Sequence, residues 1–183
     1  MSEEMIIRHC SPTLAGMKTG SIFTCEYTSK DSLKENIRKL NRTLGKKGLR
    51  VLPLRFHKGR ALIYVFRPTH LSRDLRHDTA ARLLSQRGYV PDTPDHCVNT
   101  LIDKLEQSKD FPHEIGLFLG YPPEDVSGFI ENNAHGYKLV GPWKVYGDED
   151  AARKLFAKYK KCTDIYSEQY AKGKSIERLT VVI

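Results

Sequence analysis

Apolar residues recur at two different periods along this chain, and the alternation between them lays out an order of helices and strands. Ile22-Phe23-Thr24-Cys25-Glu26-Tyr27 alternates and predicts a strand. Behind a cap at Ser29 or Asp31, Leu33, Ile37, Leu40 and Leu44 repeat at helical spacing, and Gly45 and Gly48 end the helix they predict. Arg50 to Phe56 and Arg60 to Phe66 are β-rich runs on either side of His57-Lys58-Gly59, the mark of a hairpin, and Pro68 stops the second run. Leu71 to Gln86 reads as one helix closed by Gly88, and Asp95 to Ser108 as another, with Cys97, Leu101, Ile102 and Leu105 on one side.

Beyond Phe111-Pro112 the run His113 to Gly120 is apolar and predicts a buried strand, followed by a short helix from Glu124 to Asn132. Tyr137 to Tyr146 holds one or two short strands. Asp148 to Ala171 is the longest helix, with Ala152, Leu155, Phe156, Tyr159 and Cys162 inward, and Ile176 to Ile183 reads as a closing strand. At the other end, Ile6 to Cys10 is an apolar lead-in. Ser11-Pro12 then predicts the cap and first turn of a short helix bounded by Gly16 and Gly20. Hairpin strands mixed with helices predict an α+β fold, a mixed or antiparallel sheet with packed helices.

At 183 residues the chain suffices for a single domain, 1–183, with a core of its own or with an added lobe. The acidic start Met1-Ser2-Glu3-Glu4 lacks the marks of a targeting segment, and no apolar run spans a bilayer, so a cytoplasmic address without membrane is expected. Four separated cysteines with no C-x-x-C pair predict reduced thiols and no metal site. The absence of G-x-G-x-x-G, P-loop and H-E-x-x-H motifs leaves no cofactor to expect. The net charge of +8 suits acidic partners. Nucleic acid is disfavoured, because the basic residues are spread along the chain, with only short clusters such as Lys46-Lys47 and Lys158, Lys160, Lys161, and no recognition signature accompanies them.

The pointed chemistry lies in a cysteine and a histidine. Cys10 precedes the predicted cap of the Pro12 helix, where backbone N–H groups and the helix dipole favour a thiolate. Lys18 lies near it in sequence. His113 heads a predicted strand, which would hold a general base rigidly. An early thiol and a later histidine follow the chain order of papain-like thiol enzymes. The acid that orients the histidine would be Glu131 or Glu114, with Asp125 and Asp148 as weaker options. Tyr121 and Trp143, with Tyr137 and Tyr146, would line a substrate groove.

The blocks His9-Cys10-Ser11-Pro12-Thr13-Leu14-Ala15-Gly16-Met17-Lys18, Phe111-Pro112-His113-Glu114-Ile115-Gly116-Leu117-Phe118-Leu119-Gly120-Tyr121-Pro122 and Trp143-Lys144-Val145-Tyr146-Gly147-Asp148 resemble the family catalogued as domain of unknown function 3793. The resemblance covers nearly the whole chain. It implies small proteins of anaerobic Gram-positive bacteria, some of whose relatives are thiol enzymes of cysteine-protease-like fold that form amides from carrier-bound acyl groups. On that implication Cys10 would take the acyl group as a thioester and His113 would move the proton. The partner would be an acidic acyl or peptidyl carrier protein with a phosphopantetheine-linked substrate. Cysteines that members carry before the Trp143 region are replaced here by Lys138-Leu139. The readings to separate are therefore a Cys-His acyltransferase or amide synthase, with a cysteine peptidase as its variant, and a non-catalytic module that binds a small molecule or protein.

Overall fold

The computed structural model describes residues 1–108 and 111–183. The elements run α1 (Glu3–Leu14), β1 (Gly20–Glu26), α2 (Lys30–Leu44), a 3-10 turn (Gly45–Lys47), β2 (Arg50–His57), β3 (Arg60–Phe66), α3 (Pro68–Leu75), α4 (Asp78–Ser85), α5 (Pro94–Gln107), α6 (Ile115–Phe118), α7 (Pro123–Glu131), β4 (Leu139–Val140), β5 (Lys144–Val145), α8 (Glu149–Ala171) and α9 (Ile176–Leu179). Helices and antiparallel strands are mixed, so the fold class is α+β. No helix among the described residues is long and apolar enough to cross a membrane. The chain forms two compact units: Met1–Thr69 with Lys161–Ile183, and His70–Lys160.

In the first unit the sheet order is β1-β3-β2, all antiparallel. Register sets one face. Phe23 lies opposite Ile63, and Cys25 opposite Ala61, while Val51 lies opposite Val65 from the other side. That face packs on Ile6, Ile7, Cys10 and Leu14 of α1, on Leu33, Ile37 and Leu44 of α2, and on Ile176 and Leu179 of α9. β2 is an edge strand, which lets it carry Pro53, and the register slips by one residue between Pro53 and Arg55. Lys58 and Gly59, both at positive φ, turn the hairpin in the way a two-residue loop requires.

Arg67, just past β3, has no exposed surface. Its Nε donates to Thr13 O at 2.8 Å, and Nη2 donates to Leu14 O at 2.7 Å and Val181 O at 2.9 Å. Nη1 donates to Lys47 O at 3.2 Å. One guanidinium thus closes the carboxyl end of α1, the turn after α2 and the segment after α9. Val181 N returns a bond to Leu14 O at 3.1 Å. Gly16, at φ 73°, lies so close to Ile183 that a Cβ would stand 2.0 Å from its side chain.

In the second unit α7 packs on α4, α6 and β5. Trp143, Val145, Ala152 and Tyr159 form a core there, flanked by Tyr121, Leu139, Leu155 and Phe156.

Several elements differ from the sequence expectation. The first helix starts at Glu3, capped by the Ser2 hydroxyl accepting from Met5 N at 3.3 Å, with Glu3 and Glu4 against the positive end of its dipole. Pro12 therefore lies inside its last turn, where the missing N–H deprives only the carbonyl of exposed Arg8. Ser11, expected as a cap, is interior and its hydroxyl donates back to Ile7 O. His113 to Gly120 is no strand but a tight succession of turns around α6, with Ile115 N, Gly116 N and Leu117 N donating to Pro112 O, His113 O and Glu114 O. A short apolar run with all sides buried satisfies either backbone. The helix expected over Leu71 to Gln86 is two, parted where the His77 backbone turns extended ahead of α4. The closing strand is instead α9, capped by Ser175.

If Arg67 holds these carbonyls together, Arg67→Met should cost about 3–5 kcal/mol in urea unfolding, since buried acceptors are left bare. Arg67→Lys should recover well under half of that, because an ammonium cannot reproduce the fork. Stability of both variants within about 1 kcal/mol of the parent would contradict this account.

Candidate functional site

Cys10 occupies the third turn of α1 and not the position ahead of a helix, so the N–H groups expected to activate it are spent on bonds within the helix. It is fully buried among the apolar side chains of the first unit. Burial pushes its thiol pKa far up, only partly opposed by the Lys18 ammonium, so the sulfur is a neutral core group at neutral pH. Lys18 is the candidate residue that the fold does bring to Cys10. Burial lowers its pKa to about 8, and the sulfur opposes that shift. His9, next to Cys10, is exposed and stacks on Phe23 with ring centroids 5.4 Å apart.

His113 belongs to the second unit and stands exposed in the turn before α6, its ring edge-on to Phe129 at 5.0 Å. Neither acid named for it is engaged with it. Glu114 is buried and accepts from the Tyr89 hydroxyl at 3.1 Å, with Arg87 Nε at 3.7 Å and Lys104 Nζ at 3.9 Å. Burial first, and the Glu114 carboxylate second, raise the Tyr89 hydroxyl pKa, so this phenol is a lasting donor. Glu131 is exposed and accepts from Ser127 Oγ one turn earlier at 2.5 Å. Asp148 caps α8 by accepting from Ala151 N at 2.9 Å.

Tyr121 and Trp143 do come together. Their rings stack at 4.5 Å, and Trp143 meets Phe156 edge-on at 4.6 Å. The sequence does not signal what holds them. Asp125, buried at the start of α7, accepts from Trp143 Nε1 at 2.7 Å through one oxygen. Its other oxygen accepts from Tyr146 N at 2.7 Å and Gly147 N at 2.8 Å. This carboxylate fastens the β4–β5 hairpin to α7 and is a structural group, not a free acid. Trp143 is itself buried, so its ring is packing within the second unit. Among the described residues no group of three or more His, Cys, Asp or Glu side chains is placed to hold a metal.

Charge gives a clearer pattern than these side chains. The basic residues look dispersed along the sequence, yet the fold sorts them. The first unit holds eighteen Lys and Arg against eight Asp and Glu, and the second twelve against fourteen. The net charge of the whole chain is therefore the first unit's excess of ten less the second unit's deficit of two. An open polar groove of about 590 Å³ on the first unit, by Ser29, Ser32, Asn36, Lys58 and Arg60, lies within this positive field.

Two measurements check these assignments. Native Cys10 should react with iodoacetamide at under about a tenth of its rate in urea. Because burial raises its folded pKa, the unfolded thiol ionises first. The contribution of Cys10 to stability should thus be intact below the unfolded value of about 8.5 and decline as pH rises above it. A native rate matching that of the unfolded chain would refute the core placement. Asp125→Ala should cost about 3 kcal/mol and shift the emission of Trp143, the sole tryptophan, while an unchanged spectrum would show that the indole bond is not made in solution.

No curated protein and no solved structure matches the chain. A family described as "Protein of unknown function (DUF3793)" matches residues 6–180, a span that takes in every element from α1 to α9 except the first three residues of α1. The chain belongs to that family.

Proposed function

We propose that this protein is a non-catalytic binding module whose basic first unit docks on an acidic protein. The observation that carries the reading is the sorting of charge, with an excess of ten cations in one compact unit while the other is slightly acidic. A concentrated positive field steers an acidic partner and selects against basic ones. An acyl or peptidyl carrier protein is a partner of the right charge.

Thiol-dependent acyl transfer, with its peptidase variant, stands second. It needs a sulfur that an acyl donor can reach and that ionises near neutral pH. Cys10, buried and shifted upward, offers neither in this fold. Glu114 and Glu131, engaged elsewhere, do not lend His113 an orienting acid.

Calorimetric titration of the full chain with an acidic carrier protein bearing its phosphopantetheine arm tests the two readings together. Docking predicts binding that weakens about tenfold between roughly 50 and roughly 200 mM salt, and a Cys10→Ala variant that binds within about twofold of the parent. Loss of a carrier-bound acyl group that depends on Cys10 would overturn the binding-module reading in favour of acyl transfer. Absence of any salt-dependent binding would overturn the docking itself.

A further inference from the structure

The positive charge of the first unit has a regular part. Lys30, Lys34, Arg38, Arg42 and Lys46 follow at every fourth residue along α2 and the turn that continues it, and each is exposed. At 1.5 Å per residue the cations rise about 6 Å a step, and because each step also turns about 40° the row winds obliquely around the helix, with Arg38, Arg42 and Lys46 spanning about 12 Å and about 80° of its outer side. Lys39 broadens it on the solvent side. The two carboxylates of the helix, Asp31 and Glu35, lie in its first half, and the ion pair of Glu35 with Arg38 at 3.6 Å is exposed and easily exchanged. From Arg38 to Lys46 there is no acid at all.

The row has a rigid base. Leu33, Ile37 and Leu44 on the opposite side of α2 are buried in the first unit's core. Asn41, in the last turn of the helix, donates to Val51 O and accepts from Val51 N, both at 2.8 Å, which fixes this end of the helix to β2. Cations set at fixed intervals on an anchored helix favour a partner whose charges share that interval.

Resting on the docking reading above, we infer that the outer face of α2 is the docking surface and that its occupant is an acidic helix of the partner protein. A helix with Asp or Glu at every fourth position presents carboxylates on a ridge inclined in the same way, so crossing α2 obliquely it can set its charges in step with neighbouring cations of the row over about two turns. The acids at the start of α2 repel such a helix there, which concentrates the contact on Arg38 to Lys46 and sets its register. A single nucleic-acid strand is the poorer fit, because such strands are held by rings that stack on bases, and the Arg38–Lys46 stretch contains no aromatic residue.

The test uses the full chain and a fluorescent helical peptide of about 20 residues with Glu at every fourth position, compared with a scrambled peptide of equal composition. The parent should bind the patterned peptide about fivefold or more tightly than the scrambled one. The triple variant Lys34→Glu, Arg38→Glu, Arg42→Glu should weaken binding about tenfold or more. The same change in net charge at Lys154, Lys158 and Lys160 of the second unit should alter it less than about threefold. Circular dichroism of both triple variants checks that they are folded. Equal losses in the two variants, equal affinity for the two peptides, or tight binding of an oligonucleotide where the peptide fails would each overturn the inference. A carrier protein that still binds the α2 variant with parental affinity would reject this face and leave the docking reading standing. A parent that binds neither carrier protein nor peptide would remove both.

Discussion

The first unit depends on a single buried charge. Arg67 has no carboxylate partner among the described residues, and its guanidinium is met instead by four backbone carbonyls. Burial draws its pKa below the usual guanidinium value, with the nearby Tyr166 opposing, yet arginine keeps its proton in any folded protein. The carbonyls of Thr13 and Leu14 lie at the negative end of α1, where no further turn of helix can use them. A cation in that place removes an orphan-acceptor problem and a dipole problem together. The same group reaches Lys47 O and Val181 O, so the ends of three separate segments share one centre.

Charge of a different kind organises the second unit. Among the described residues Asp125 and Glu114 are its buried carboxylates, Asp125 accepting three hydrogen bonds and Glu114 accepting from the Tyr89 hydroxyl with two cations nearby. Glu114 gathers the end of α4, α5 and the α6 turn; Asp125 gathers α7 and the β4–β5 hairpin. Groups that a sequence offers as general acids are in this fold ties between short elements that have little sheet to bind them. That economy follows from the architecture, because a two-stranded hairpin of two residues a side makes too few backbone bonds to stand alone.

The parts of the fold that local pattern controls were legible. The stripe Leu33, Ile37, Leu44 gave α2, and two alternating runs around Lys58-Gly59 gave the β2–β3 hairpin, because there periodicity and turn chemistry agree. The first helix was misplaced because Ser11-Pro12 imitates a start signal, while the true one, Ser2 followed by two acids, sits at the chain's beginning where it reads as a polar tail. Ile6, Ile7, Cys10 and Leu14 carry the helical spacing that could have corrected it. The candidate site inherited that error: a thiol just ahead of a helix start is activated, and the same thiol two turns inside a helix is core. What decides between a strand and a turn at His113 is tertiary surroundings, and no local pattern encodes those. The pairing of Tyr121 with Trp143 rests on Asp125, whose role depends on a bond to a residue eighteen positions away.

The bond from Arg67 to Val181 joins residues 114 positions apart. The second unit, His70–Lys160, lies wholly within that interval. A ribosome making this chain therefore releases all of the second unit before it releases the last piece of the first. Until residue 181 emerges, the guanidinium lacks one of its four acceptors and the strap from α9 back to α1 is missing. The inserted unit can settle during synthesis as a continuous stretch, whereas the unit that begins the chain is completed last, by a closure that spans the whole inserted sequence.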